Sequence, residues 1–155
     1  MTRQPMIAVI GAGTASAALC GLAATLGREI AARGATLVCG GRGGVMEAAA
    51  QGALAAGGHT IGIIPSYEPT TANPYIEFVI ATGMGEARNT IVVASADAVI
   101  ALAGEAGTLS EIGLALKIGR PVIALDAWVE IAGPHRAANP HAAVKLALEL
   151  ARTRS

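Results

Sequence analysis

The feature that most limits the fold of this chain is a repeated order of short apolar segment, turn and helix. Short apolar runs separated by helical segments are typical of buried parallel strands with crossover helices. Such βαβ units build a parallel sheet with helices on both faces. We therefore predict one α/β domain over residues 1–155, a doubly wound, Rossmann-like sheet of six or seven strands. The predicted strands are 6–10, 35–39, 59–64, 76–80, 98–102 and 122–125.

The segments between these strands supply the helices and one long loop. Residues 65–75 contain three prolines and no helical periodicity, which is typical of a lid or a binding loop. Residues 127–138 are predicted to be irregular, with a short strand from Trp128 to Ile131. The predicted helices are 17–33, 45–56, 86–95, 108–118 and 141–152.

Glycine turns follow the first, second, fourth and fifth strands. In parallel sheets, ligands bind beyond the carboxyl ends of the strands, where these turns would meet. Glycines allow close backbone approach, and helix N-termini attract phosphate or carboxylate. The candidate ligand-binding residues are Gly11, Gly13, Thr14, Gly40, Gly41, Arg42, Gly43, Gly44, Met84, Glu86, Arg88, Asn89, Gly104, Gly107, Thr108 and Glu111.

The fifth turn permits two interpretations of Thr108 and Glu111. In one, Thr108 begins the helix and pairs with Glu111 in a capping box, in which each side chain accepts from the other residue's amide. In the other, the helix N-terminus binds an anion, and Glu111 is a carboxylate held just inside the site. The stretch by itself does not choose between them.

Several cofactor motifs lack a required residue. Gly11-x-Gly13-x-x-Ser16 resembles a dinucleotide fingerprint, but Cys39 stands at the end of the second strand, where the ribose-binding acid belongs. The two lysines, Lys117 and Lys145, follow no glycine and lie on helices, which disfavours a Walker loop and a pyridoxal Schiff base. We expect neither an NAD-dependent dehydrogenase nor a lysine decarboxylase, and no metal site.

The amino-acid composition limits which kinds of molecule the protein is expected to bind. The chain has zero net charge and 3% aromatic residues, which argues against nucleic acid. Charged residues make up 14%, against a usual share of about 25%, so we predict that part of the surface is buried in a homodimer or homotetramer. No apolar stretch is long enough for a membrane span, and residues 1–5 lack a signal-peptide pattern, so we expect a cytoplasmic protein.

Four motifs together carry a family resemblance. They are Cys39-Gly40-Gly41-Arg42-Gly43-Gly44-Val45-Met46-Glu47-Ala48-Ala49, Ala72-Asn73-Pro74-Tyr75, Gly85-Glu86-Ala87-Arg88-Asn89 and Gly107-Thr108-Leu109-Ser110-Glu111-Ile112. With them the chain resembles the LONELY GUY (LOG)-like Rossmann group, and within it a branch closest to the molybdenum-cofactor carrier proteins. The resemblance implies an oligomer with a nucleotide-like phosphate ligand at the sheet edge. It implies no required cofactor, although nucleotide, phosphate or molybdenum cofactor would be bound as ligand.

The resemblance implies two alternative functions. LOG enzymes release a free base from a nucleoside 5′-monophosphate, and Arg88 and Glu111 match their catalytic pair. However, Asn89 replaces the family lysine, Ala103 replaces a proline, and Glu105 puts a negative charge where a glycine faces phosphate. These departures favour a binding or carrier protein for a phosphorylated, nucleotide- or pterin-like molecule. A phosphoribohydrolase is the alternative.

Overall fold

A computed structural model describes residues 3–154 of the chain. Seven parallel strands form one sheet in the order β4-β3-β2-β1-β5-β6-β7, so the strand order reverses between β1 and β5. This confirms the predicted α/β Rossmann-like fold with its parallel sheet. The strands are β1 (Met6–Ile10), β2 (Thr36–Cys39), β3 (Thr60–Ile64), β4 (Phe78–Ala81), β5 (Ala98–Ala101), β6 (Val122–Leu125) and β7 (His135–Ala137).

Within the described residues, five α-helices cover the two faces of the sheet. Three of them pack on one face and two on the other, because successive strand residues point to opposite sides. The helices are α1 (Ala17–Ala32), α2 (Val45–Ala55), α3 (Arg88–Ser95), α4 (Ala106–Lys117) and α5 (Pro140–Arg152). Ile7 and Val9 face α1, α2 and α5, whereas Ala8 and Ile10 face α3 and α4.

The last strand lies further along the chain than predicted. The expected strand from Trp128 to Ile131 is wrong, because Asp126 and Trp128 adopt positive φ angles of 55° and 61° that interrupt an extended path. The indole Nε1 of Trp128 donates to the carbonyl of Leu102 at 2.8 Å. Arg136 donates to carbonyls of this loop, including that of Ile131 at 3.1 Å. The loop is thereby closed over the end of β5, and the strand that pairs with β6 is His135–Ala137.

The start of α4 excludes one of the two interpretations of Thr108. The helix begins at Ala106 with Glu105 as N-cap residue, and that residue's side chain makes no capping bond. Thr108 therefore lies within the first turn, and it does not form a capping box with Glu111. The predicted start of α3 at residue 86 is also wrong. Residues Gly85–Ala87 form a 3₁₀ turn, and the α-helix begins at Arg88.

The apolar character of α2 is explained within the chain. One side of α2 packs on the sheet and the other on α1, where a Cβ at Gly27 or Gly52 would collide with the opposite backbone. Burial of this helix therefore needs no second subunit, and the homo-oligomer stays a prediction. Within residues 3–154, none of the helices combines the length and apolar character that crossing a bilayer requires.

Candidate functional site

A cavity of about 370 Å³ opens at the carboxyl edge of the sheet, where the strand order reverses between β1 and β5. Ligands of doubly wound sheets bind at this kind of position. The turns after β1 and β5, the start of α3 and the first two turns of α4 form its wall. The lining residues are Gly11, Ala12, Gly13, Thr14, Met46, Glu86, Arg88, Asn89, Glu105, Gly107, Thr108 and Glu111.

The two turns that flank the reversal are joined directly. The amide of Ala12 donates to the carbonyl of Ala103 at 2.9 Å, and a Cβ at Gly104 would collide with the side chain of Thr108. Glycine is therefore required at position 104, although its own atoms do not line the cavity. This close approach brings the β1–α1 turn beside the N-terminus of α4.

Arg88 supplies the cation of the cavity. It is only 7% exposed, and its guanidinium passes over Gly40, where a Cβ would lie 2.9 Å from Nη2. Nη1 donates to Oδ1 of Asn89, and Nη2 lies 3.5 Å from the carbonyl of Gly40. Nε is buried and has no hydrogen-bond partner among residues 3–154. A buried donor of this kind costs free energy unless a further group accepts from it.

Asn89 connects Arg88 to α4. Its Oδ1 accepts from Arg88, and its Nδ2 donates to Oγ of Ser110 at 3.3 Å. Ser110 in turn donates to the carbonyl of Gly107 at 2.7 Å. Asparagine can both accept and donate, which a lysine at this position cannot do. The side chain of Asn89 therefore holds the guanidinium in place relative to the first turn of α4.

The N-terminus of α4 points amide groups at the cavity. The first intrahelical bond runs from the amide of Leu109 to the carbonyl of Glu105, so the amides of Ala106, Gly107 and Thr108 have no acceptor within the helix. Since the side chain of Glu105 does not cap them either, an anion placed between these amides and Arg88 would satisfy both.

Glu111 is a buried carboxyl group in the same cavity. Burial raises its pKa to about 7, against the opposing charge of Arg88, and the charge of Glu86 raises it further. No hydrogen bond to its side chain exists among residues 3–154. A carboxyl group with this pKa changes its protonation near neutral pH, which suits proton transfer or a pH-dependent ligand contact.

Cys39 lies behind the cavity and takes no part in its chemistry. Its side chain is completely buried at the end of β2, and Gly41 donates its amide to the sulfur at 3.4 Å. Burial raises the pKa of the thiol to about 12, so the reactive thiolate is not populated at neutral pH.

The cavity contains more acidic than basic side chains. Glu86, Glu105 and Glu111 line it together with one cation, Arg88. Glu86 and Glu105 are exposed at the mouth, and Glu111 lies inside. An anionic ligand group therefore has to sit against Arg88 and the amides of α4, since elsewhere the cavity repels it.

The cavity brings together most of the predicted site residues from three of the four turns. Gly40 lies behind Arg88, and Met84 is exposed outside the lining. Arg42 is also exposed, and its carbonyl accepts from Nδ2 of Asn73 at 2.8 Å. That bond ties the predicted binding loop to the second turn. The predicted residues that do not line the cavity are Gly40, Gly41, Arg42, Gly43, Gly44, Met84 and Gly104.

The candidate set from the sequence lacks Ala12, Met46 and Ser110, and Glu105 was noted there only as a departure from the family pattern. Glu105 faces the cavity as the N-cap residue of α4, and Met46 packs beside Gly40 and Arg88. Ser110 acts through its bonds to Asn89 and α4. The signal for Ser110 was its place in the motif Gly107–Ile112, between two residues that were selected. Ala12 and Met46 carry no polar side chain that could have marked them.

Comparison with known proteins shows the family of this chain. The sequence profile of the SLOG cluster4 family matches residues 4–151. The chain belongs to the SLOG cluster4 family. This confirms the LOG-like resemblance that the four motifs indicated.

Solved structures similar to this SLOG cluster4 protein include two proteins connected with molybdenum cofactor. The molybdenum cofactor binding protein of the phototrophic bacterium Rippkaea orientalis is 39% identical, with a TM-score of 0.92 over 97% of this chain and 99% of that one. The molybdenum cofactor carrier protein of Chlamydomonas reinhardtii is 34% identical, with a TM-score of 0.86 over 96% and 98%. A cytokinin riboside 5′-monophosphate phosphoribohydrolase of Mycobacterium tuberculosis is 38% identical over 69% of this chain and 62% of its own length.

Proposed function

We propose that this protein binds a phosphorylated pterin- or nucleotide-like molecule at the carboxyl edge of its sheet, as a binding or carrier protein. The observation that carries the proposal is that Arg88, whose buried Nε is unpartnered among the described residues, lines the same cavity as the uncapped N-terminus of α4. A phosphate would accept from both, and a guanidinium with oriented amides is the usual protein environment of a bound phosphate.

The rest of the ligand would contact the acidic part of the cavity. Pterins and purines carry N–H groups on a planar ring, and carboxylates accept hydrogen bonds from such donors. Glu86 and Glu105 are placed at the mouth to accept them, while Met46 offers an apolar contact to the ring. A ligand with phosphate at one end and N–H donors at the other fits this division of charge.

Two of the solved relatives support molybdenum cofactor as the ligand in particular. No group of three or more His, Cys, Asp or Glu side chains among residues 3–154 could hold a metal ion. The molybdenum would therefore have to arrive coordinated by the cofactor itself. The protein would bind the phosphate and the pterin ring, which are the parts its cavity can recognise.

A phosphoribohydrolase is the second candidate, favoured by the buried carboxyl group of Glu111. In that reaction the bond between C1′ and the base nitrogen breaks, water supplies a hydroxyl group to C1′, and a proton passes to the base. Positive charge develops on the ribose, which a carboxylate stabilises, and a group with a pKa near 7 can also take the proton from water.

Two measurements on the intact protein separate the candidates. Native mass spectrometry identifies the molecule that co-purifies, and a base-release assay uses adenosine 5′-monophosphate as substrate. For a carrier we expect a bound phosphorylated pterin or nucleotide and no release of adenine. Adenine release that Glu111→Gln lowers at least about a hundredfold would establish the hydrolase.

Arg88→Lys provides the matched variant for the carrier. It keeps the charge but removes the forked donors and Nε, so we expect the co-purified molecule to be lost or strongly depleted. Arg28→Lys is the control, because Arg28 is exposed on α1 and does not line the cavity. Equal occupancy in both variants, or no bound molecule in the wild type and no binding of phosphate, would contradict the proposal.

A further inference from the structure

A second cavity, of about 480 Å³, lies at the opposite edge of the sheet. It is bounded by the segment before β1, the end of α1, the start of β5 and the end of α5. Because β1 has five residues, with about 3.3 Å per residue, the two cavities lie about 16 Å apart along the strand. Its lining residues are Arg3, Pro5, Arg33, Asp97, Leu148, Ala151 and Arg152.

Three guanidinium groups from three separate elements converge on this cavity. Arg33 is the C-cap residue of α1, and Arg152 is in the last turn of α5, where cations offset the negative end of the helix dipole. That role explains a basic residue at each helix end. It does not explain the convergence with Arg3, which precedes β1 and belongs to no helix.

Among residues 3–154, Asp97 supplies the one carboxylate of the lining, and it is already hydrogen-bonded. Asp97 accepts from Nη1 of Arg3 at 2.9 Å and from the amide of Met6 at 2.8 Å. Partial burial opposes its ionised form, but these hydrogen bonds and the charge of Arg3 outweigh the burial and hold the pKa of Asp97 below its usual range. Asp97 therefore leaves the charges of Arg33 and Arg152 available to another anion.

The two remaining arginines differ in their partners. Arg33 lies 3.7 Å from a carboxylate oxygen of Glu29 and also contacts the ring of His141. Arg152 makes no hydrogen bond or ion pair to any residue within 3–154. The remaining lining residues of this cavity, Pro5, Leu148 and Ala151, are apolar.

We propose that this second cavity is a binding site for a small organic anion. Its phosphate or carboxylate group would bind Arg152 and Arg33, and its apolar body would lie on Leu148 and Ala151. Guanidinium groups match the geometry of both oxyanions, and pockets of a few hundred cubic ångströms are usual for such ligands. The site is separate from the proposed phosphate site, because it shares no lining residue with the cavity at Arg88.

To test this proposal, phenyl phosphate is titrated into the wild-type protein at 0.15 M salt, and binding is measured from the backbone amide resonances in NMR spectra. We expect saturable shifts at Leu148, Ala151 and Arg152, with phenyl phosphate binding at least several-fold tighter than inorganic phosphate because the ring covers apolar surface. Benzoate in parallel distinguishes a phosphate site from a carboxylate site, and saturable binding of either supports the proposal.

Arg152→Gln and Arg33→Gln should each lower the affinity about three- to fivefold, while Arg28→Gln leaves it within about 1.5-fold. Arg152 is exposed, and thermal unfolding checks that each variant is folded. The proposal is overturned if the shifts never saturate, if inorganic phosphate binds as well as phenyl phosphate and benzoate, or if both cavity variants bind like the wild type.

Discussion

The cavities at the two edges of the sheet contain opposite excesses of charged side chains. At the carboxyl edge, one buried guanidinium, that of Arg88, shares a cavity with three carboxyl groups. At the other edge, three arginines share a cavity with one carboxyl group, that of Asp97, which is already hydrogen-bonded. The first edge is therefore rich in acceptors around a single fixed cation, and the second is rich in cations around a single fixed anion.

The burial of a charged side chain determines how much it can contribute to ligand binding. Arg88 and Glu111 are less than a tenth exposed, so their interactions are weakly screened by solvent and salt. Arg152 and Arg3 are exposed, and ion pairs at exposed sites contribute little. We therefore expect single substitutions at the carboxyl edge to have the larger effects on binding.

The sharpest contrast uses the same substitution at both edges. Arg88→Met should weaken binding of adenosine 5′-monophosphate by about ten- to a hundredfold, because it removes charge-assisted bonds worth about 1.5–3 kcal/mol. Arg152→Met should change that affinity less than about twofold. Isothermal titration calorimetry measures both, with adenosine as the dephosphorylated control. If Arg88→Met weakened adenosine as much as the monophosphate, Arg88 would not recognise phosphate.

A second contrast concerns the pH dependence of stability. Since the pKa of Glu111 is raised to about 7 in the folded protein, the folded state holds this proton more tightly than the unfolded chain. Stability should therefore fall as pH rises from about 4.5 to about 7. Glu111→Gln removes the ionisation, so we expect a gain of about 3 kcal/mol in unfolding free energy at pH 8 and none at pH 4. Urea unfolding at both pH values measures it, and a loss at pH 8 would contradict the account.

Asp97 should show the opposite dependence. Its pKa is held below the usual range, so its stabilisation is present above the unfolded value and is lost as pH falls through the folded value. Asp97→Asn should cost about 1 kcal/mol at pH 7, where it removes charge-assisted acceptance from Arg3 and the Met6 amide. The cost should vanish in acid. Urea unfolding of the two proteins at a series of pH values from 7 downwards measures this cost, and a cost that stays constant until both proteins unfold in acid would rule out the charge as the cause.

The smallest effect is expected at Glu105. Its carboxylate is exposed at the N-terminus of α4, beside the amides proposed to bind phosphate. Glu105→Gln should raise the affinity for adenosine 5′-monophosphate a few-fold at low salt, and less at 0.15 M. The same change should lower stability by a few tenths of a kcal/mol, because an acid near a helix N-terminus is favourable. Glu149→Gln, exposed on α5, is the control, and an unchanged affinity at low salt would remove Glu105 from the site.

The sequence predicts the carboxyl edge far better than the other. Its residues stand in turns that follow strands, so the alternation of strands and helices brings Arg88 and Glu111 to one edge before any coordinates are known. The start of α4 is predicted at Thr108 and lies at Ala106 in the structure. Gly104 packs against the backbone of Ala12 in the β1–α1 turn, and the sequence pattern does not show this contact because the two segments are far apart along the chain.

The second cavity has no motif in the sequence. Arg3, Arg33, Asp97 and Arg152 come from four separate segments and meet only because the strands begin and α1 and α5 end at the same edge. The strand β7 was missed for a related reason. His135–Ala137 has no apolar alternation, and its pairing with β6 is established by the loop that Trp128 and Arg136 hold in place.

An NMR titration of the wild-type protein with inorganic phosphate, read at the Nε–H of Arg88 and at the amides of Gly107 and Thr108, tests the proposed phosphate site directly. We expect these three resonances to shift together with one dissociation constant, because a single anion accepts from the guanidinium and from the N-terminus of α4. Saturable shifts confined to Gly41–Gly44, with the Nε–H of Arg88 unmoved, would contradict this proposal and place the phosphate at the second turn instead.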